Sequence, residues 1–167
     1  MAFSIDEPSR DQINALIALF NQGRFREALT HGEALARQFP REPSLLNLLG
    51  AMNARLGRPE QAIVSFSKAV QIKPDFAEAH NNLGNAQNDL GRREEAVKSF
   101  TNALQIRPEY AEAHYNRGYT LSALGKLEEA LESFTKAVQI RPDLAEAHNN
   151  LGNVQMQLGK AEAAIGS

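Results

Sequence analysis

Between Ala77 and Leu90 the apolar or small residues Leu83, Gly84, Ala86 and Leu90 return at helical spacing, with asparagines and acids between them. A second stripe follows, made of Ala96, Val97, Phe100, Ala103 and Leu104, and predicts a helix from about Arg93 to Ile106. Gly91 lies between the two and reads as the residue that ends the first helix in a left-handed conformation. Pro108 closes the second, because the residue before a proline is pushed out of the α region. Asp75 with Glu78, and Asp143 with Glu146, have capping-box spacing, and Glu109 with Glu112 is a weaker version. The pattern is a helix, a tight turn and a second helix.

This hairpin is one unit of a longer period. Pro40, Pro74, Pro108 and Pro142 are spaced by 34 residues. Gly23, Gly57, Gly91, Gly125 and Gly159 keep the same step, as do Gly50, Gly84, Gly118 and Gly152. So do Ala28, Ala62, Ala96, Ala130 and Ala164, and Phe66, Phe100 and Phe134. The chain therefore divides into a leader at 1–8 and units at 9–42, 43–76, 77–110, 111–144 and, cut short, 145–167. The expected fold class is all-α, a solenoid of stacked helical hairpins. The first unit is divergent. Leu16 stands where the other units have glycine and Gly32 where they have phenylalanine, so bulk is expected to have moved across that contact. In the fifth unit Ser167 comes one position before the phenylalanine. A half-built second helix is expected there, leaving the apolar face of 145–158 partly uncovered and open to self-association.

The 34-residue step, with Leu83-Gly84, Ala96, Phe100, Ala103 and Pro108 in register, resembles the tetratricopeptide repeat across about 9–167. The resemblance implies a right-handed superhelix whose concave wall is formed by the first helix of each unit. It also implies that Gly84 lets the first helix approach Ala96 and Phe100 of the second. In this family recognition falls on six places of the wall helix. In the third unit these are Glu78, Asn81, Asn82, Asn85, Asn88 and Asp89; in the fourth they include Glu112, Tyr115, Asn116 and Tyr119; in the fifth, Glu146, Asn149, Asn150 and Asn153.

One of these places carries asparagine in four units, Asn14, Asn82, Asn116 and Asn150, with Leu48 the single break. A side-chain amide has both donors and an acceptor and can pair with a peptide backbone whatever its sequence. The ladder is similar to that of the repeat region of O-linked N-acetylglucosamine transferases, which implies a grip on an extended polypeptide. Tyr115 and Tyr119, one turn apart, read as aromatic anchors or as covers for a neighbouring helix. Glu78, Glu112 and Glu146 read as an acidic edge, or as complements to the helix dipole. The carboxylate clamp of chaperone-tail adaptors requires lysines where Asn81 and Glu146 stand and an arginine where Asn150 stands, and is not expected.

Composition narrows the function further. The net charge of −2 makes no case for nucleic acid or an acidic membrane surface. The absence of cysteine excludes thiolate metal sites and cysteine nucleophiles, and suits a reducing, cytoplasmic setting. The N-terminus has neither the basic nor the apolar region of a secretory signal, and no apolar run spans a bilayer. His80, His114 and His148 belong to different repeats, too far apart to share a metal. The glycines do not form a phosphate-cradling loop. The expectation is a non-enzymatic interaction scaffold that needs no cofactor or metal and takes a protein or peptide partner, as an extended peptide or a partner's helix, in its concave groove. One alternative is the recruiting arm of a larger, bacterial-type glycosyltransferase or sulfotransferase; another is a self-assembling solenoid.

Overall fold

The structure is a computed structural model that describes residues 7–165, with side chains as far as residue 160. The described residues are helical apart from short turns. The first helices of the hairpins are α1 (Arg10–Asn21), α3 (Pro43–Arg55), α5 (Ala77–Asp89) and α7 (Ala111–Ala123). Their partners are α2 (Phe25–Gln38), α4 (Pro59–Ile72), α6 (Arg93–Ile106) and α8 (Leu127–Ile140), and α9 (Ala145–Ile165) completes the row.

Local chemistry sets the ends of these helices. Gly23, Gly57, Gly91 and Gly125 close the first helices with φ between 70° and 74°, a conformation that glycine adopts at no steric cost. Ser9 opens α1 with a capping box, its hydroxyl accepting from the Gln12 N–H while the Gln12 side chain accepts from the Ser9 N–H. The capping boxes expected at α5 and α7 do not form. Phe76 and Tyr110 are the cap residues, without side-chain caps, so Glu78 and Glu112 sit too early in their helices to fold back. Both reach across to the preceding repeat instead.

A second expectation fails at the far end. No turn forms at Gly159, and α9 runs through it as one continuous helix to Ile165. In the second, third and fourth units a phenylalanine of the second helix is seated on a glycine of the first. The residues up to Ser167 do not include that phenylalanine, and nothing lies within 4 Å of a Cβ added at Gly152.

That glycine–phenylalanine contact repeats along the core. A Cβ added at Gly50 would stand 2.5 Å from the Phe66 ring, at Gly84 2.6 Å from Phe100, and at Gly118 2.9 Å from Phe134. The three rings are at most 2% exposed, and each such burial is worth about 1.5–3 kcal/mol. Ala62, Ala69, Ala96, Ala103, Ala130 and Ala137 are wholly buried and let the helices close around the rings. The first unit differs from expectation. A Cβ at Gly32 would meet Leu49 and Met52 of α3, so this glycine makes room for the next repeat, while Leu16 is buried in the same cluster.

Successive first helices also touch one another, α1 with α3, α3 with α5, α5 with α7 and α7 with α9. The second helices meet only the helices before and after them in sequence. The first helices therefore lie on the inside of the curve, and the hairpins form a right-handed α-solenoid. At the last three joints a histidine fastens the wall helix to the preceding turn, while Leu46 holds that place at the first. The Nε2 atoms of His80, His114 and His148 lie 2.8–2.9 Å from the carbonyl oxygens of Pro74, Pro108 and Pro142. A carbonyl only accepts, so Nε2 carries the proton and donates. Their membership of separate joints leaves no shared metal site, and no group of three potential ligands occurs among the described residues.

The glycine contact predicts a contrast between two identical substitutions. Gly84→Ala should lower stability by about 1–3 kcal/mol in urea titrations, because the added methyl overpacks Phe100. Gly152→Ala should be neutral or stabilising, since alanine is favoured over glycine in a helix by about 0.8–1 kcal/mol. Equal effects would sink the contact as the cause.

The histidine joint predicts a pH dependence. Burial holds His114 below its ordinary value of 6.5, reinforced by Arg117 and Lys136 and opposed by the Pro108 carbonyl and Glu109. Its Nδ1 is buried without a partner, so the proton that would charge the ring has nowhere to bond. The unfolded chain binds that proton more readily. Stability from this group is fully present above about pH 6.5 and falls as the pH drops below it. Urea midpoints should decrease from about pH 7 to about pH 5, and His114→Gln, which keeps a donor without titrating, should flatten that decrease.

Candidate functional site

The wall formed by α3, α5 and α7 is hollowed by two recesses, each between the first helices of adjacent repeats. The first encloses about 290 Å³. Its floor is the Phe66 ring; Phe20, Ala51, Ala54 and Arg55 line it from the N-terminal side, and Asn82, Asn85, Ala86 and Asp89 from α5. The second encloses about 220 Å³ on the Phe100 ring, between Asn85 and Asn88 of α5 and Tyr115, Asn116, Tyr119 and Thr120 of α7. Asn85 borders both, so the two recesses are neighbouring stretches of one groove.

The groove's polar residues do not all face solvent. Asn82 donates through Nδ2 to Asn47 Oδ1 at 3.0 Å, and Asn47 donates through Nδ2 to Glu78 Oε1 at 3.0 Å. One repeat on, Asn116 donates to Asn81 Oδ1 at 3.1 Å and Asn81 to Glu112 Oε1 at 3.3 Å. An ionised carboxylate only accepts, so it turns the amide nitrogen of Asn47 and Asn81 toward itself and their oxygens toward the next asparagine. At the following joint Tyr115 replaces the middle asparagine, and Asn150 donates to its hydroxyl at 3.4 Å. These chains are staples between repeats.

The sequence-predicted residues divide accordingly. Asn81 is wholly buried, so its expected place among the peptide contacts is corrected: it is a strut between α5 and α7. Asn82 and Asn116 are half-buried, spend one donor on the staple and keep the amide oxygen and a second N–H for another partner. Asn85, Asn88 and Asp89 line the recesses, with Asn88 Oδ1 accepting from Thr120 at 3.4 Å. Asn14 is exposed in a separate hollow with Ile13, Glu42 and Ser44, outside the two recesses. Asn149 and Asn153 are exposed on α9, and Asn150 is half-buried in its staple.

The tyrosines also separate. Tyr115 is half-buried with its ring 5.9 Å from that of Phe134, whereas Tyr119 is 53% exposed over the second recess. Burial raises the Tyr115 hydroxyl, and Glu146 raises it further. Tyr110, at the start of α7, is pushed up to about 12 by burial and then by Glu112 and Glu78. Negative charge thus gathers along the edge where Glu78, Glu112 and Glu146 begin their helices. Residue-by-residue reading missed Asn47, because its unit lacks the ladder asparagine. It also missed Phe20 and Arg55, since the first units depart from the consensus. Arg55 packs over the Phe25 ring at 5.4 Å, and Phe20 meets the same ring edge-on at 5.1 Å.

The sequence profile of the TPR repeat matches residues 50–91, 85–125 and 120–159. The chain belongs to the TPR repeat family. Among solved structures it is similar to the crystal structure of MamA, with a TM-score of 0.82 at 23% identity over 99% of this chain and 91% of that one. It is also similar to YrrB, described as a TPR protein with an unusual peptide-binding site, with a TM-score of 0.74 at 27% identity, covering 83% and 71% of the two chains. The first TPR of Spaghetti (RPAP3), solved bound to the HSP90 peptide SRMEEVD, aligns with a TM-score of 0.69 at 25% identity over 70% and 93%. No curated protein sequence matches the chain. No helix among the described residues is long and apolar enough to cross a membrane.

The staple can be tested by removing its buried member. Asn81→Ala should cost about 1–3 kcal/mol, because Asn116 loses its acceptor inside the interface. In a double-mutant cycle, Asn81→Ala and Asn116→Ala should couple by about 0.5–3 kcal/mol. Strict additivity would mean that the two amides do not act together.

Proposed function

We propose that this chain is a protein-interaction scaffold that holds an extended polypeptide segment along the concave wall of α3, α5 and α7. The observation that carries the reading is the pair of recesses, one repeat apart and joined through Asn85, with half-buried Asn82 and Asn116 retaining free amide valence beside them. A peptide backbone laid over the row would find a donor and an acceptor at each step, and the recesses would take side chains. The printed descriptions of YrrB and of the RPAP3 domain support a peptide as the class of partner. The tail SRMEEVD is acidic, and the groove here has Glu112 and Glu146 on the same wall. That wall favours a different peptide chemistry.

The test leaves the staples intact. Asn85→Arg places a long side chain at the border of both recesses while leaving Asn47, Asn81, Asn82 and Asn116 in place. Peptides selected by the unaltered protein from a displayed library should lose at least about tenfold in affinity for Asn85→Arg at unchanged circular dichroism. Selected peptides that bind both forms equally well would show that they dock elsewhere.

A further inference from the structure

The two recesses occupy equivalent places in successive repeats, yet their linings differ in chemistry. The first is apolar around Phe66, with Phe20, Ala51 and Ala54 in its walls, and its two charges, Arg55 and Asp89, have opposite signs. The second also has a phenylalanine, Phe100, but is otherwise lined by tyrosine, asparagine and threonine and holds no charged side chain. Acids outnumber bases on the wall helices around it. Glu78, Glu112 and Glu146 lie on α5, α7 and α9. The cation Arg117 turns away, donating through Nε to Ser133 Oγ of α8 at 2.9 Å. Lys160 lies about 20 Å along α9 from Glu146. Glu146 is near enough to Tyr115 to act on its hydroxyl. An open tyrosine face on a wall whose helices carry more acids than bases attracts a cation and repels an anion.

We propose that the groove selects a polypeptide segment with an apolar side chain for the first recess and, about three residues away, a lysine or arginine for the second. The inference rests on the groove reading above and adds the chemistry of the partner. The spacing comes from the scaffold. Packed helices stand about 8–10 Å apart, so neighbouring recesses are separated by about that distance. A chain in the polyproline II conformation rises about 3.1 Å per residue and returns to the same face every third residue, which places i and i+3 about 9 Å apart on one side. A β-strand advances about 6.8 Å between same-face neighbours and falls short of the second recess. The ladder amides suit this partner, since a polyproline II backbone has no internal hydrogen bonds and leaves its carbonyls free to accept.

The experiment uses fluorescein-labelled proline-rich peptides carrying leucine and arginine three positions apart, made in both orders and read by fluorescence anisotropy. One order should bind. Replacing its arginine by glutamate should weaken binding about tenfold, and moving the arginine to two positions from the leucine should weaken it similarly. Tyr119→Ala combined with Glu146→Gln should remove most of the arginine-over-glutamate preference, and added salt should shrink it. Both side chains are exposed, so the fold should survive the change. Arginine and glutamate peptides that bind equally, and are both lost with Asn85→Arg, would overturn this selectivity while leaving the groove reading in place. No binding by any of these peptides would overturn the selectivity alone, whereas binding indifferent to Asn85→Arg would overturn both.

Discussion

The seat of a phenylalanine ring on a bare glycine backbone governs this molecule. At Gly50, Gly84 and Gly118 the ring of the second helix lies where any side chain on the first would have to go. The contact sets how closely the two helices of a hairpin approach, and the buried alanines around it allow the same closeness along their length. Hairpins of one thickness then stack with one offset, and a regular solenoid follows. The contact also reaches the groove. Phe66 and Phe100, held from behind by glycine, are the floors of the two recesses. A loosened hairpin would therefore disturb the binding surface as well as the core.

Along the inner wall the same helices are joined by polar groups. Each staple runs from a ladder asparagine to a buried or half-buried partner one repeat earlier, and in two joints on to a glutamate of the later repeat. Amides suit this task because they donate at one end and accept at the other, so a chain of them can end on a carboxylate without leaving a donor facing a donor. The arrangement leaves part of the amides of Asn82 and Asn116 unused beside the recesses. Holding the repeats together and presenting hydrogen-bonding groups are thus done by the same residues. Alanine substitutions in the ladder would confound the two roles, which is why the border residue Asn85 isolates binding better.

The helices, the glycine turns and the glycine–phenylalanine contacts could be read from sequence because each depends on residues within one unit. The staples could not. Asn82 and Asn47 are 35 residues apart, and only the stacking of one repeat on the next brings them together. For the same reason Asn81 looked like a groove residue: it shares a helical face with Asn85 and Asn88, but the neighbouring repeat covers it. Gly32 and Gly159 show the complementary failure. Both sit where a repeat consensus suggests a role, and in both the role depends on a partner side chain. Gly32 makes room for Leu49 of the next unit, and Gly159 lies inside the continuous helix α9 without a turn.

What repeats in this chain and what varies have separate physical tasks. The glycines, rings and histidine joints recur from the second unit onward because those hairpins close and stack in the same way. Within the groove one equivalent place holds Ala51, Asn85 and then Tyr119, and another holds Asn47, Asn81 and then Tyr115. The first series deepens one recess and encloses the next, since a small residue opens space that a tyrosine would fill. The second exchanges an amide strut for a phenol packed near Phe134, which relaxes the staple at that joint and gives the wall an aromatic face. A uniform lattice would bind any backbone equally at every step. These departures make one step apolar and the next cation-seeking, and they give the groove a direction.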